Sequence, residues 1–351
     1  MSVERAIGTV LVGAFIWAFS RQRPRINADL QGLFECFHDA IKLDENDERR
    51  KLREKREVIL STLKRRLATQ SLSFEAFDQG SYAMRTGVVP KDGNYDIDVG
   101  LIFDCPRERF PDPVTLKCLV RDALVANNRT VKIRRACVTV EYIRQGMPDY
   151  HVDLALYIRQ ADGRLRLAKG REFSEPQHRE WEWSAPRELT QYVLAKFAGD
   201  DQAQFRRCIR YLKRWRDENF CTGAPYSIAL TLAAASWFEP RRTGDGAYVD
   251  VEALHFLVNR MRSNFGNDWN FSRLAVRLPG SAKTDLMKRL TDPQMLALKE
   301  QLRSLELALE TCFGDVAISN SAASLAPLFG SDFPSLRDAP PSTAGGNASR
   351  I

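Results

Sequence analysis

Two aspartates stand two apart in the run Asn94-Tyr-Asp-Ile-Asp-Val-Gly100. In an extended strand, residues i and i+2 point to the same face, so Asp96 and Asp98 project together while Tyr95, Ile97 and Val99 turn into a core. Carboxylates this close repel unless a cation lies between them, and all-oxygen ligation suits Mg²⁺ or Mn²⁺. Phosphoryl and nucleotidyl transfer use two such ions, roughly 3.5–4 Å apart and bridged by carboxylates. A third carboxylate must help to hold the ion that activates the attacking hydroxyl. Asp153 meets that need, since it falls on the polar side of an alternation of Val152, Leu154, Leu156 and Ile158. Asp104 and Asp149 are its rivals, but neither sits inside a clean strand pattern.

Gly80-Ser81 precedes the aspartate pair by about fifteen residues. Read alone, it is a turn with an N-capping serine. Read with the carboxylates, it is a tight turn whose amides and hydroxyl hold triphosphate oxygens. Farther on, Phe205, Ile209, Leu212 and Trp215 can face a core from one helix, and Arg206, Arg210 and Lys213 make a separate basic stripe on it. Ser227 opens an apolar helix (IALTLAAASWF), either as its N-cap or as a phosphate-binding hydroxyl at its N-terminus. Its neighbour Tyr226 either packs or stacks on a base.

The elements that must position these residues follow from periodicity. Leu30, Leu33, Phe34, Phe37 and Ile41 mark a helix within 24–45, and Leu52, Ile59, Leu60, Leu63 and Leu67 mark a charged helix over 48–67. Strands are predicted at 99–103, 136–142 and 152–158, with a helix over 113–126 between the first two. Residues 161–187 are polar and turn-rich and read as a connection. From 186 onward the pattern is helical, over 188–198, 202–218, 226–238, 250–263 and 292–312. The expected organisation is an N-terminal extension (1–23), a mixed-sheet α/β catalytic lobe with N-terminal helices (24–185), a helical lobe (186–336) and a disordered tail (337–351). The fold class is therefore α+β in two lobes, with the active cleft between them.

With 351 residues and 44% hydrophobic residues, the chain has ample material for such a core. Its net charge of +7 suits an anionic ligand without revealing a track for a long nucleic acid. The seven cysteines are scattered, odd in number and without a CxxC, which points to a reducing compartment and a cytoplasmic location. The apolar run 7–19 is shorter than the roughly 20 residues of a membrane span. It reads as a buried helix or an upstream extension in preference to a membrane anchor.

Taken together, Gly80-Ser81, Asp96-Ile-Asp98 and Asp153 resemble the polymerase-β-type nucleotidyltransferase superfamily. Within it, the chain looks like the bacterial cyclic-oligonucleotide synthases related to cyclic GMP–AMP synthase and oligoadenylate synthetase. The stretches FHDAIKLD (37–44), LREKRE (52–57), QGSYAMRTGVV (79–89), YDIDVGLIF (95–103), RYLKRWRD (210–217), PYSIALT (225–231) and LFGSDFP (328–334) carry the likeness, over roughly 24–336. The resemblance implies a two-lobed polymerase-β-like fold and two Mg²⁺ ions, or Mn²⁺, on Asp96, Asp98 and Asp153. It also implies a donor triphosphate oriented by Gly80, Ser81, Lys213 and Ser227. The substrates would be nucleoside triphosphates, ATP among them. The product would be a cyclic di- or trinucleotide that activates an effector protein in anti-phage signalling. The resemblance further implies regulatory or conjugating partners, although Ile351 is terminal here and Gly345-Gly346 internal, unlike the small terminal residue used for conjugation. The zinc insertion of the animal DNA sensor has no counterpart, so activation by double-stranded DNA is not expected. Two other readings are an enzyme making linear oligonucleotides or extending RNA ends, and a non-catalytic nucleotide- or RNA-binding scaffold.

Overall fold

The computed structural model describes residues 28–335 apart from 44–47, 127–128, 145–146, 268–271, 281–283 and 315. The apolar run 7–19, the extension 1–23 and the tail 337–351 lie outside the described residues. Among the described residues, no helix is long and apolar enough to cross a membrane.

Two helices lead the chain, α1 (Ala28–Ile41) and α2 (Glu48–Ala68). Their predicted apolar stripes are buried, as periodicity demands. The sheet follows. It contains β1 (Phe74–Asp78), then β2 (Tyr95–Phe103) after the short α3 (Gly80–Ala83). Beyond α4 (Pro113–Leu124) come β3 (Arg129–Ile133), β4 (Val138–Arg144), β5 (Met147–Arg159), β6 (Leu165–Lys169) and β7 (Glu180–Ser184). These seven strands form one mixed sheet, ordered β1-β2-β5-β4-β3, with β6 pairing the far end of β5 and β7 pairing β6. Only β2 and β5 run parallel. That pairing needs a long crossover, which α4, β3 and β4 supply. Asp112 starts α4 by accepting a hydrogen bond from the Val114 amide at 2.9 Å, with Pro113 in the first turn.

Residues 161–187, read from sequence as a connection, hold the β6–β7 hairpin instead. Its strands bury little: Leu165, Ala168 and Trp181 reach the interior, while the other positions carry cross-strand charges such as Lys169 with Glu182. The alternations Leu165/Leu167 and Trp181/Trp183 are only two residues long in each five-residue strand, too short to stand out from the charged residues around them.

The helical part comprises α5 (Pro186–Leu194), α6 (Gly199–Asn219), α7 (Ser227–Trp237), α8 (Asp250–Ser263), the small β8 (Phe265–Asn267) and β9 (Ser272–Leu274), α9 (Asp292–Glu310) and α10 (Ile318–Phe329). Pro327 lies inside α10 and interrupts its sequence pattern. There are two large hydrophobic cores. One lies between the sheet and the helices α2 and α4, and the other among the helices. The helix α1 belongs to the second, although sequence grouped residues 24–185 with the catalytic lobe. Its Phe37 ring stacks on Tyr211 of α6 at 5.3 Å and meets Phe329 of α10 at 4.9 Å. A buried polar knot pins this core: Asp250 of α8 accepts from Arg207 Nε at 2.6 Å, Arg207 Nη2 at 2.8 Å and the Tyr211 hydroxyl at 2.8 Å. The fold is thus α+β, a mixed sheet joined to a helical layer.

Candidate active site

The parallel register of β2 and β5 decides what meets at the site. Asp98 stands beside Asp153, and Asp96 stands beside His151. Partners in register face the same side of a sheet, so all four side chains converge. Ile97, Val99, Val152 and Leu154 take the alternate direction and are fully buried, which anchors both strands. Of the rivals, Asp104 falls past the far end of β2, and Asp149 sits in the bulge where the register of β5 with β4 shifts.

Each carboxylate has its own surroundings. Asp96 is 42% exposed and lies 3.1 Å from His151 Nε2. The other ring nitrogen, Nδ1, is 3.0 Å from Asn94 Oδ1. Asp153 accepts a 2.5 Å hydrogen bond from the Thr139 hydroxyl of β4, directly opposite it. Asp98 is the most enclosed. Burial first, and then the charges of Asp96 and Asp153, push its carboxyl up to about 8. Burial likewise raises Asp153, against the pull of Thr139. Burial alone would lower His151, but its bond to Asp96 and the surrounding carboxylates carry it upward.

Three carboxylates that repel one another across a shared space form a donor set for a divalent cation. Asp96, His151 and Asp153 can each offer one ligand atom, all within 4.8 Å of one another. The donors present therefore fit a metal ion.

Above these strands is a cleft of about 1340 Å³. Gly80, Ser81, Asp96 and Asp98 line its sheet side, and Lys213, Arg216, Ser227 and Thr231 line its helical side. The Trp183–Pro186 junction of β7 and α5 and the segment around Leu278–Gly280 close other walls. Gly80 begins α3 with φ +65°, a conformation that favours glycine.

Two predicted residues behave differently from expectation. Lys213 is not on a solvated stripe apart from the core, because it is only 3% exposed. Its Nζ donates to the Thr86 carbonyl at 2.8 Å and lies 3.1 Å from the Thr86 hydroxyl, and burial, then Arg210 and Arg216, lower its pKa to about 7. Neighbouring cations on α6 do similar work. Arg210 donates to the carbonyls of Arg85 at 2.7 Å and Gly87 at 3.2 Å, and Arg214 to that of Val89 at 2.8 Å. Tyr226 stands outside the cleft lining, 52% exposed, with the Arg289 guanidinium 3.7 Å from its ring centre. It occupies the N-cap position of α7, so Ser227 is the first helical residue and not the cap. The Ser227 hydroxyl accepts from Arg216 Nη1.

Sequence reasoning missed His151, Thr139, Arg216 and Trp183. The period-2 rule that found Asp153 also places His151 on its face, so that signal was present. Thr139 and Trp183 depend on strand neighbours that no local pattern identifies.

Residues 75–157, which run from within β1 into β5 and include Asp96, Asp98 and Asp153, match the family model described as cyclic GMP-AMP synthase DncV-like, nucleotidyltransferase domain. Solved structures share the fold over a larger part of the chain. The Vibrio cholerae DncV cyclic AMP-GMP synthase superposes with a TM-score of 0.58 at 17% identity, covering 76% of this chain and 71% of that one. A mutant of the same protein in complex with ATP, GTP and 5MTHFGLU2 gives a TM-score of 0.57 at 18% identity, covering 75% and 72%. The Bradyrhizobium diazoefficiens CD-NTase CdnG in complex with GTP gives 0.67 at 16% identity, covering 86% of this chain and 95% of that one.

Proposed function

We propose that the protein is a metal-dependent nucleotidyltransferase that joins nucleoside triphosphates, ATP among them, into a cyclic di- or trinucleotide read by a separate effector protein. The observation that carries this reading is the convergence of Asp96, Asp98 and Asp153 on one face of the paired strands β2 and β5, with Asp96 and Asp98 lining the cleft. Two Mg²⁺ or Mn²⁺ ions there would supply an activated hydroxyl and charge stabilisation for the departing pyrophosphate.

The remaining work falls to the chain. Asp96, Asp98 and Asp153 hold the reacting centre, and Thr139 keeps Asp153 in place. Ser81 and Ser227 line opposite walls and offer hydroxyls to a triphosphate between them, with Arg216 and Lys213 contributing positive charge. Gly80 lets the backbone approach the carboxylates closely. Single small-ligand sites span roughly 300–1,000 Å³. A cleft of about 1340 Å³ therefore has room for two nucleotides, which ring closure within one site requires.

The test is incubation of the full chain with mixed labelled nucleoside triphosphates and Mg²⁺ or Mn²⁺, followed by chromatography before and after alkaline phosphatase. A phosphatase-resistant product supports the proposal. A product that loses all its label to phosphatase, or a ladder of lengthening RNA, would replace ring closure with linear or RNA-end synthesis. Absence of any transfer would favour a nucleotide-binding scaffold.

A further inference from the structure

The donor atoms that lie within common reach of one cation are not those of the three aspartates. They are Asp96, His151 and Asp153, whose ligand atoms all fall within 4.8 Å. Asp98 shares their face but stands outside this set, with its Oδ2 packed where a side chain on residue 80 would begin. The imidazole is also held in a definite orientation. With Nδ1 engaged by Asn94 Oδ1 at 3.0 Å, the other nitrogen, Nε2, points into the space shared with Asp96 and Asp153. A side-chain oxygen that receives Nδ1–H leaves Nε2 as the nitrogen that carries the lone pair in the neutral ring, so a cation bound there would take the place of the proton now shared with Asp96.

We infer that His151 is a metal ligand of this site through Nε2, and that it turns the site toward a first-row transition cation such as Mn²⁺ in preference to Mg²⁺. Magnesium takes a near-ideal octahedron of oxygen and retains its waters, whereas transition cations accept imidazole readily. A site with one nitrogen among its donors therefore discriminates where a set of three aspartates would not. The inference rests on the reading of these carboxylates as metal-binding.

The test uses Mn²⁺ as the probe on the full chain without nucleotide. Electron spin-echo envelope modulation of bound Mn²⁺ is expected to show the ¹⁴N coupling of a directly bound imidazole. His151→Gln should abolish that coupling and lower the affinity for Mn²⁺ relative to Mg²⁺, measured by calorimetry, by about tenfold. His255→Gln serves as a control, because His255, Glu306 and Glu310 form a second group with ligand atoms within 4.8 Å. The chain has four histidines. A variant with His38, His178 and His255 all changed to Gln leaves His151 the sole imidazole, so the ¹⁴N signal can be assigned even if His151→Gln does not fold. Bound Mn²⁺ without ¹⁴N coupling, or a coupling that survives His151→Gln, overturns the inference. A ¹⁴N coupling that behaves as expected in a protein that transfers no nucleotide would sink the catalytic reading alone.

Discussion

The carboxylate of Asp98 occupies the space that a side chain on residue 80 would fill: a Cβ built on Gly80 falls 1.8 Å from Asp98 Oδ2. Gly80 also holds φ +65°, so the position excludes other residues on two independent grounds. Gly80→Ala is expected to cost about 1–3 kcal/mol of stability and to displace Asp98. Nucleotide transfer should fall by two orders of magnitude or more even at temperatures where the variant is folded, as about 1 Å of misplacement can cost about 10²-fold. Near-normal turnover by a folded Gly80→Ala protein would show that Asp98 does not need this placement.

Asp98 also sets a pH dependence. Its carboxyl titrates higher in the folded chain, at about 8, than its ordinary 3.8. A raised carboxyl stabilises the fold when protonated. That contribution is complete below 3.8 and drains away as the pH rises toward about 8. In metal-free protein, the melting temperature of Asp98→Asn should therefore gain on wild type steadily across this window. Mn²⁺ or Mg²⁺ should raise the wild-type melting temperature most at its alkaline end, where the carboxylates are ionised. A metal-induced shift that is flat across the window would contradict this account.

Replacing both Asp96 and Asp98 with Ala should abolish nucleotide transfer and leave a folded chain, because the pair repels in the absence of a cation. Circular dichroism checks the fold, and product chromatography checks the activity. Residual synthesis within tenfold of wild type would move the reaction to other residues.

Lys213→Ala is expected to destabilise the protein by about 1–3 kcal/mol, because it strips the buried Thr86 carbonyl of its 2.8 Å donor and leaves a void. Lys213→Arg is not expected to restore stability, since the Nζ position beside the Thr86 carbonyl and hydroxyl suits a compact ammonium and not a planar guanidinium. Thermal denaturation distinguishes this from a solvated lysine, whose loss would leave melting unchanged.

Asp250→Ala should be more damaging still, by about 3–5 kcal/mol, because it leaves the Arg207 guanidinium without its buried partner. Tyr226→Ala should leave the KM for nucleotide within about twofold, since Arg289 already covers its ring and the residue stands outside the cleft. A large rise in KM would return Tyr226 to a base-stacking role.

Strong local patterns made much of this architecture legible. The stripes of α1 and α2 and the alternation of β5 could be read directly, because each buries a regular face. So could the aspartates, since the period-2 geometry of a strand carries Asp96 and Asp98 to one side. What could not be read depends on contacts between distant residues. Lys213 looks like one more cation on an amphipathic helix until Thr86 is placed above it. The hairpin β6–β7 buries too few side chains to show a period. The allegiance of α1 to the helical core is fixed by Tyr211, Phe329 and Phe333, which lie far along the chain.

The bonds from α6 to the carbonyls of Arg85, Thr86, Gly87 and Val89 have a mechanical consequence. They rivet the helical layer to the strand-connecting segment at one end of the cleft, and the ion pair of Lys91 with Glu218 extends the seam. An opening riveted along one edge moves like a door on its jamb: that edge is the pivot, and travel grows with distance from it. The free edge is the segment around Leu278–Gly280, because the Trp183–Pro186 junction is itself a tie, where β7 runs directly into α5 and Arg187 pairs with Glu75. Hydrogen exchange should then be slow along 85–89 whether or not nucleotide is bound, with ligand-dependent protection concentrated at the free edge. Uniform protection of both edges on nucleotide binding would mean that the seam yields too.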